Sequence, residues 1–257
     1  ASLGLATQCG FHNEIVEQKA LPQLKEWFQS DLYPRNSYDV SWVLLGLSQT
    51  DSVLSQQLLE NLSQFRREDG SYGAFLESSK GSAYATVLAV WALGKHNKID
   101  ELEQTMLYLR SLPPAEVPVG LDEQLWWVLY DIERRYPQFA NSMERDIAFA
   151  ERLIERCQMQ ENGSCAIQKW PNTEWKHEPN KHNVGILVLQ GDPWVLVSSY
   201  YLSQKPLPDD LLQQIKKISA WTIQSRINAT PYLKAAPGYE ISENLLALSL
   251  VVAGQTI

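Results

Sequence analysis

Apolar side chains recur at three- and four-residue spacing along most of this 257-residue chain, the period that turns one face of an α-helix toward a core. Val40-Trp42-Val43-Leu44-Leu47, Leu54-Leu58-Leu59-Leu62-Phe65 and Tyr84-Val87-Leu88-Val90-Trp91 show the pattern best. Leu102 to Leu112, Gln124 to Arg135, Met143 to Gln158, Pro193 to Ser203, Leu211 to Gln224 and Ile241 to Ala253 follow it. With a segment around Ile15 to Phe28, the spacing predicts an all-α chain of about ten helices. Only Val184 to Leu189 has the β-branched run of a strand, and a buried helix start or an extended loop fits it as well.

Proline and glycine punctuate the pattern at Leu112-Pro113-Pro114, Pro118-Val119-Gly120, Tyr136-Pro137 and Lys205-Pro206-Leu207-Pro208. A proline ring has no amide hydrogen to continue a helix, so these breaks read as short hairpin connections. No linker-like stretch divides the chain, and one domain over 1–257 is the expectation. The longest irregular stretch, Asn162 to Gly191, has the length of a functional or partly structured loop.

An internal echo adds organisation to the helices. Leu62-Ser63-Gln64-Phe65-Arg66-Arg67-Glu68-Asp69-Gly70-Ser71-Tyr72-Gly73 ends one helix on an Asp-Gly-Ser-aromatic turn. Arg156-Cys157-Gln158-Met159-Gln160-Glu161-Asn162-Gly163-Ser164-Cys165 ends another on Asn-Gly-Ser. A fainter third copy, Trp221 to Thr230, keeps Gln224 four residues before Asn228 but has Ala229 where glycine stood. An apolar helix is expected after each turn: Ser82-Ala83-Tyr84-Ala85-Thr86 to Gly94, Trp194 to Leu202, and Ser242 to Leu250.

These turns and the Tyr-Ala-Thr-x-Leu-Ala helix behind the first of them resemble the repeats of squalene and class II diterpene cyclases and of protein prenyltransferase β subunits. The Trp170-Pro171-Asn172-Thr173-Glu174-Trp175 stretch is similar to an aromatic segment of diterpene-cyclase repeats. The resemblance implies an α/α toroid, a barrel of repeated helical hairpins with a central cavity open to apolar ligands. It also implies a chemistry in which a protonated carboxylic acid attacks an alkene and aromatic faces stabilise the resulting cation. The family's Asp-x-Asp-Asp acid motif is absent from this sequence.

Composition narrows the partners. A formal charge of -8 gives no basic face for a phosphate backbone, so nucleic acid is an unsuited partner. No run of eighteen uncharged apolar residues spans a membrane; Val184 to Leu202 is interrupted by Asp192 and Pro193. Three cysteines form no disulfide framework, and a reducing, cytoplasmic setting is the expectation. A partner protein at the mouth of the barrel fits the same composition.

Two acid pairs stand where a proton donor belongs. Glu240 and Glu243 precede an apolar helix, and Asp122 and Glu123 stand directly before Trp126 and Trp127. Each pair also suits a helix start, where carboxylates cap and favour the macrodipole, and both readings stay open. Asp39 and Asp192 share that ambiguity. Tyr38, Tyr84, Trp126, Trp127, Trp194 and Tyr239 are the candidate aromatic faces for an apolar substrate, or else wedges between hairpins. The leading reading needs no cofactor. Cys157, Cys165, His177 and His182 are nevertheless four zinc-type ligands in the order Cys-x7-Cys-x11-His-x4-His, and Cys9 with His12 is a weaker pair. No Gly-x-Ser-x-Gly elbow or phosphate loop is present, which leaves isoprenoid-type cyclisation, non-catalytic binding of an apolar ligand or protein, and a metal-dependent enzyme.

Overall fold

A computed structural model describes residues 36–47, 52–113, 121–140, 143–159, 165–167, 192–229 and 246–251, with 18–19, 22–23 and 26 besides; of 52, 158–159, 165–167, 192 and 225–229 it describes the backbone alone. The helices are α1 (Ser37–Leu47), α2 (Ser52–Ser63), α3 (Ala83–Lys95), α4 (Ile99–Ser111), α5 (Leu121–Arg135), α6 (Met143–Arg156), α7 (Asp192–Leu202) and α8 (Asp209–Ala229). A 3-10 turn at Pro137–Phe139 follows α5, and residues 246–251 are helical. The class is all-α, with one short antiparallel pair, β1 (Cys157–Met159) and β2 (Cys165–Ile167), among the described residues. Tyr239, Glu240, Glu243, His177, His182, Cys9, His12 and Val184 to Leu189 lie outside them.

Two compact units divide the chain. One comprises Ala1–Val117, Val128–Ala140 and Pro237–Ile257, the other Pro118–Trp127 and Asn141–Ala236. In the first, α3 packs against α1 and α4, and α1 against α2. Residues 85–94 of α3 are all buried, as an all-round apolar sequence requires. Its C-terminal end is tied down: the His96 ring Nε2 lies 2.9 Å from the Leu44 carbonyl of α1, and the Tyr136 hydroxyl donates to the Gly94 carbonyl at 2.8 Å. In the second unit, α8 packs on α7 and α6. Residues 193–199 of α7 are buried as completely as α3.

The Asp-Gly-Ser turn is built from its own side chains. The Ser71 amide and hydroxyl both donate to Asp69 Oδ1, at 2.9 and 2.6 Å. Those two bonds hold the Asp69 carboxyl below its ordinary value. Gly70 takes φ +84°, in the left-handed region that glycine enters without steric cost. Tyr72 then fastens the turn to α3. Its amide donates to Thr86 Oγ1 at 3.0 Å, its carbonyl accepts from the Ser82 amide at 2.8 Å, and Ser82 caps α3 by accepting from the Ala85 amide. Ser82 and Thr86 of the repeat sequence are thus the hinge hardware of this turn.

The second copy has the same backbone pairing. Arg66 bridges Tyr72 across the first turn, and Met159 pairs with Cys165 across the second; each second-copy position is 93 residues on (159 − 66 and 165 − 72), as is Asn162 from Asp69. Both preceding helices stop six residues before that Asp or Asn, at Ser63 and at Arg156. Helical periodicity alone would carry α6 to Gln158, but turn chemistry ends it at Arg156 and makes residue 157 the first of a strand. One copy falls in each compact unit. The third copy departs from the expectation: α8 stays helical through Asn228 and Ala229, because alanine in place of glycine is poorly suited to the left-handed step and favours helix.

Candidate active site

The acids nearest the tryptophans sit in the first turn of α5, as Asp122 and Glu123. Both are buried, at 3% and 0% exposure, where a bare carboxylate would be strongly disfavoured. Their charge is met from α6. Arg152 grips Asp122 with two bonds, Nε to Oδ2 at 3.0 Å and Nη2 to Oδ1 at 3.1 Å. One turn further, Arg156 reaches Asp122 Oδ2 through Nη2 at 2.7 Å and Glu123 Oε1 through Nη1 at 2.8 Å. Four buried or half-buried charges therefore sum to zero. Burial pushes the Glu123 carboxyl above its ordinary value, Arg156 pulls against that, and Asp122 adds to it. Burial alone would lower Arg156, yet Glu123 and Asp122 carry it above its ordinary value.

An aromatic stack continues the same face. Trp126, one turn after Asp122, lies parallel to Phe149 of α6, centroids 5.1 Å apart at 9°. Its indole Nε1 donates to Asp146 Oδ1 at 3.0 Å, and Asp146 in turn meets Lys205 Nζ at 3.4 Å. Arg152 lies 5.7 Å from the Phe149 ring centroid. Asp146, Phe149, Arg152 and Arg156 thus form one stripe along α6 at three- and four-residue steps. Trp127 tilts against Trp194 of α7 at 5.8 Å and 41°, both rings buried.

In the first unit, Tyr38 and Tyr84 are half-buried partners, rings 5.2 Å apart at 40°, with the Tyr38 hydroxyl 3.4 Å from Ser82 Oγ. Asp39 is engaged in capping α1: its amide donates to Oδ1 of the cap residue Asn36 at 2.9 Å, and its carboxylate accepts from Asn36 Nδ2 at 2.7 Å. Sequence reading had missed Asp146, Phe149, Arg152 and Arg156. The signal was there, an amphipathic helix whose apolar stripe carries an acid and two arginines, and it was absorbed into ordinary helix patterning.

Among the described residues, no three His, Cys, Asp or Glu side chains come close enough to hold a metal ion, and no helix is long and apolar enough to cross a membrane. Comparison with family models, with curated proteins and with solved structures finds no match to this chain.

Proposed function

We propose that this chain is an α/α toroid of the prenyltransferase and squalene-cyclase kind that binds a prenyl-derived or similarly apolar ligand without protonating it. The observation that carries the reading is the pairing of Asp122 with Arg152 and Arg156. Both oxygens of the Asp122 carboxyl are taken up by guanidinium N–H donors, so the group is engaged in the α5–α6 contact and is not presented to a substrate alkene. The bridge of Arg66 with Tyr72 and the equivalent pairing of Met159 with Cys165 support the architecture, and the resemblance of the repeat sequence to that family supports an apolar ligand.

A second reading, acid-initiated cyclisation of such a substrate, draws on Glu123. Its carboxyl is buried and raised, the direction a proton donor needs, and Trp126 and Trp127 follow it in the chain. One experiment separates the two. The purified chain is incubated with a series of linear isoprenoid diphosphates and alcohols, and both retained ligand and products are read by mass spectrometry. Retention with no product supports binding. A cyclised product that Glu123→Gln abolishes and Asp122→Asn leaves in place supports cyclisation at Glu123, and neither retention nor product overturns both readings.

A further inference from the structure

We infer that the side-chain amide of Gln124 is the polar contact for the ligand, and that this ligand carries one neutral oxygen, as an alcohol or a carbonyl, on an otherwise apolar frame. The inference rests on the apolar-ligand reading and narrows its class. Gln124 lies in α5, directly after Glu123 and three residues before Trp127. It is 2% exposed, and its buried amide nitrogen Nε2 meets no hydrogen-bond acceptor among the described residues. A buried N–H without an acceptor is a standing cost to a fold and is rare in native chains. An oxygen brought by a ligand removes that cost.

The carboxylates of the α5–α6 contact are already engaged. Asp122 takes Arg152 and Arg156, and Glu123 Oε1 takes Arg156. Asp146 accepts from the Trp126 indole on Oδ1 and meets Lys205 on Oδ2. Gln124 and Trp127, three residues apart on a helix, are side by side on α5. Trp127 in turn meets Trp194 of α7, both rings buried. An acceptor seated on Gln124 therefore has tryptophan rings as its surroundings, which suits a molecule that is apolar apart from one oxygen. A neutral oxygen fits better than a diphosphate. Arg152 and Arg156 are committed to Asp122 and Glu123, and one amide N–H does not balance a buried multiple charge.

Two measurements on the full chain test the contact. In urea unfolding without ligand, Gln124→Leu or Gln124→Met is expected to hold or raise the midpoint, because each removes a buried donor that lacks an acceptor. A midpoint lowered in both variants shows the amide already bonded and overturns the inference. Equilibrium dialysis then compares farnesol, farnesyl diphosphate and the hydrocarbon farnesene. The parent chain is expected to bind farnesol about tenfold tighter than farnesene, the worth of one hydrogen bond, and the variants to lose that preference. A preference that survives in the variants, or tightest binding of the diphosphate, overturns the contact. Equal binding of farnesol and farnesene by the parent overturns it too and leaves the apolar-ligand reading standing, whereas binding of none of the three removes contact and reading together.

Discussion

At the scale of single residues, the molecule depends on positions where one atom group has no substitute. Gly70 combines φ +84° with close packing: a Cβ there would meet the Gln104 carbonyl oxygen at 2.8 Å. Gly70→Ala is therefore expected to cost about 2 kcal/mol or more in urea unfolding, from the left-handed backbone and the clash together. Asn36 and Asp39 satisfy each other's groups at the start of α1. Asn36→Ala should cost about 1 kcal/mol, and a variant of unchanged stability would show that the pair contributes nothing to α1. These two roles differ in legibility. The Asp-Gly-Ser turn is readable from three adjacent residues, while Asp39 offered a carboxylate whose partner, though only three residues away, was one choice among several.

At the scale of elements, the α5–α6 pairing rests on the ion cluster and the Trp126–Phe149 stack. Asp122 is gripped by Arg152 and shared with Arg156, whereas Glu123 is held by Arg156 against a strong burial penalty, so their removal should differ in size. Asp122→Asn is expected to cost about 3 kcal/mol, because it leaves buried or half-buried guanidinium charge with a weaker partner. Glu123→Gln should cost under about 1 kcal/mol at neutral pH, since burial already disfavours its charged form and Arg156 keeps Asp122. The reverse ranking would overturn this account of the cluster. The pH dependence has a definite sign. A raised folded-state value means that Glu123 contributes stability that is fully present below its ordinary 4.5 and lost as the pH rises through the raised value. The stability difference between the parent chain and Glu123→Gln, measured by urea unfolding across the mildly acidic range, should accordingly fall as pH rises. Asp69, lowered by the Ser71 hydrogen bonds, runs the other way: its contribution is present above 3.8 and lost as the pH drops through its lowered value.

At the scale of the whole molecule, each compact unit carries one copy of the same backbone pairing, Arg66 with Tyr72 and Met159 with Cys165, followed by one largely buried helix. From the bridged residue to the next helix the first copy takes 11 residues (72 to 83) and the second 27 (165 to 192), and the added length contains Trp170, Trp175, His177 and His182. Added length at one copy of a repeat is where function concentrates while the shared framework stays constant. A ligand of the proposed class binds the folded chain and leaves the unfolded one alone, so at a hundredfold excess over its Kd it should stabilise by about 2.7 kcal/mol. Thermal unfolding with and without a linear isoprenoid alcohol measures this, and an unchanged midpoint across the series would remove the apolar-ligand reading.

The sequence by itself determined the helical class, most helix ends among the described residues and the Asp69 turn, because these follow from interactions within a few residues: apolar spacing, proline's missing amide hydrogen, and the Asp69–Ser71 and Gly70 chemistry. Its reach ended where a role depends on residues brought close by folding. Asp122 and Glu123 read equally well as caps or as proton donors until Arg152 and Arg156, some thirty residues away, were placed against them. Likewise nothing in the order of residues states that Trp126 lies flat on Phe149 with its indole nitrogen on Asp146. Charge, hydrogen bonding and desolvation act across space, so what an acidic side chain does is decided by its tertiary neighbours.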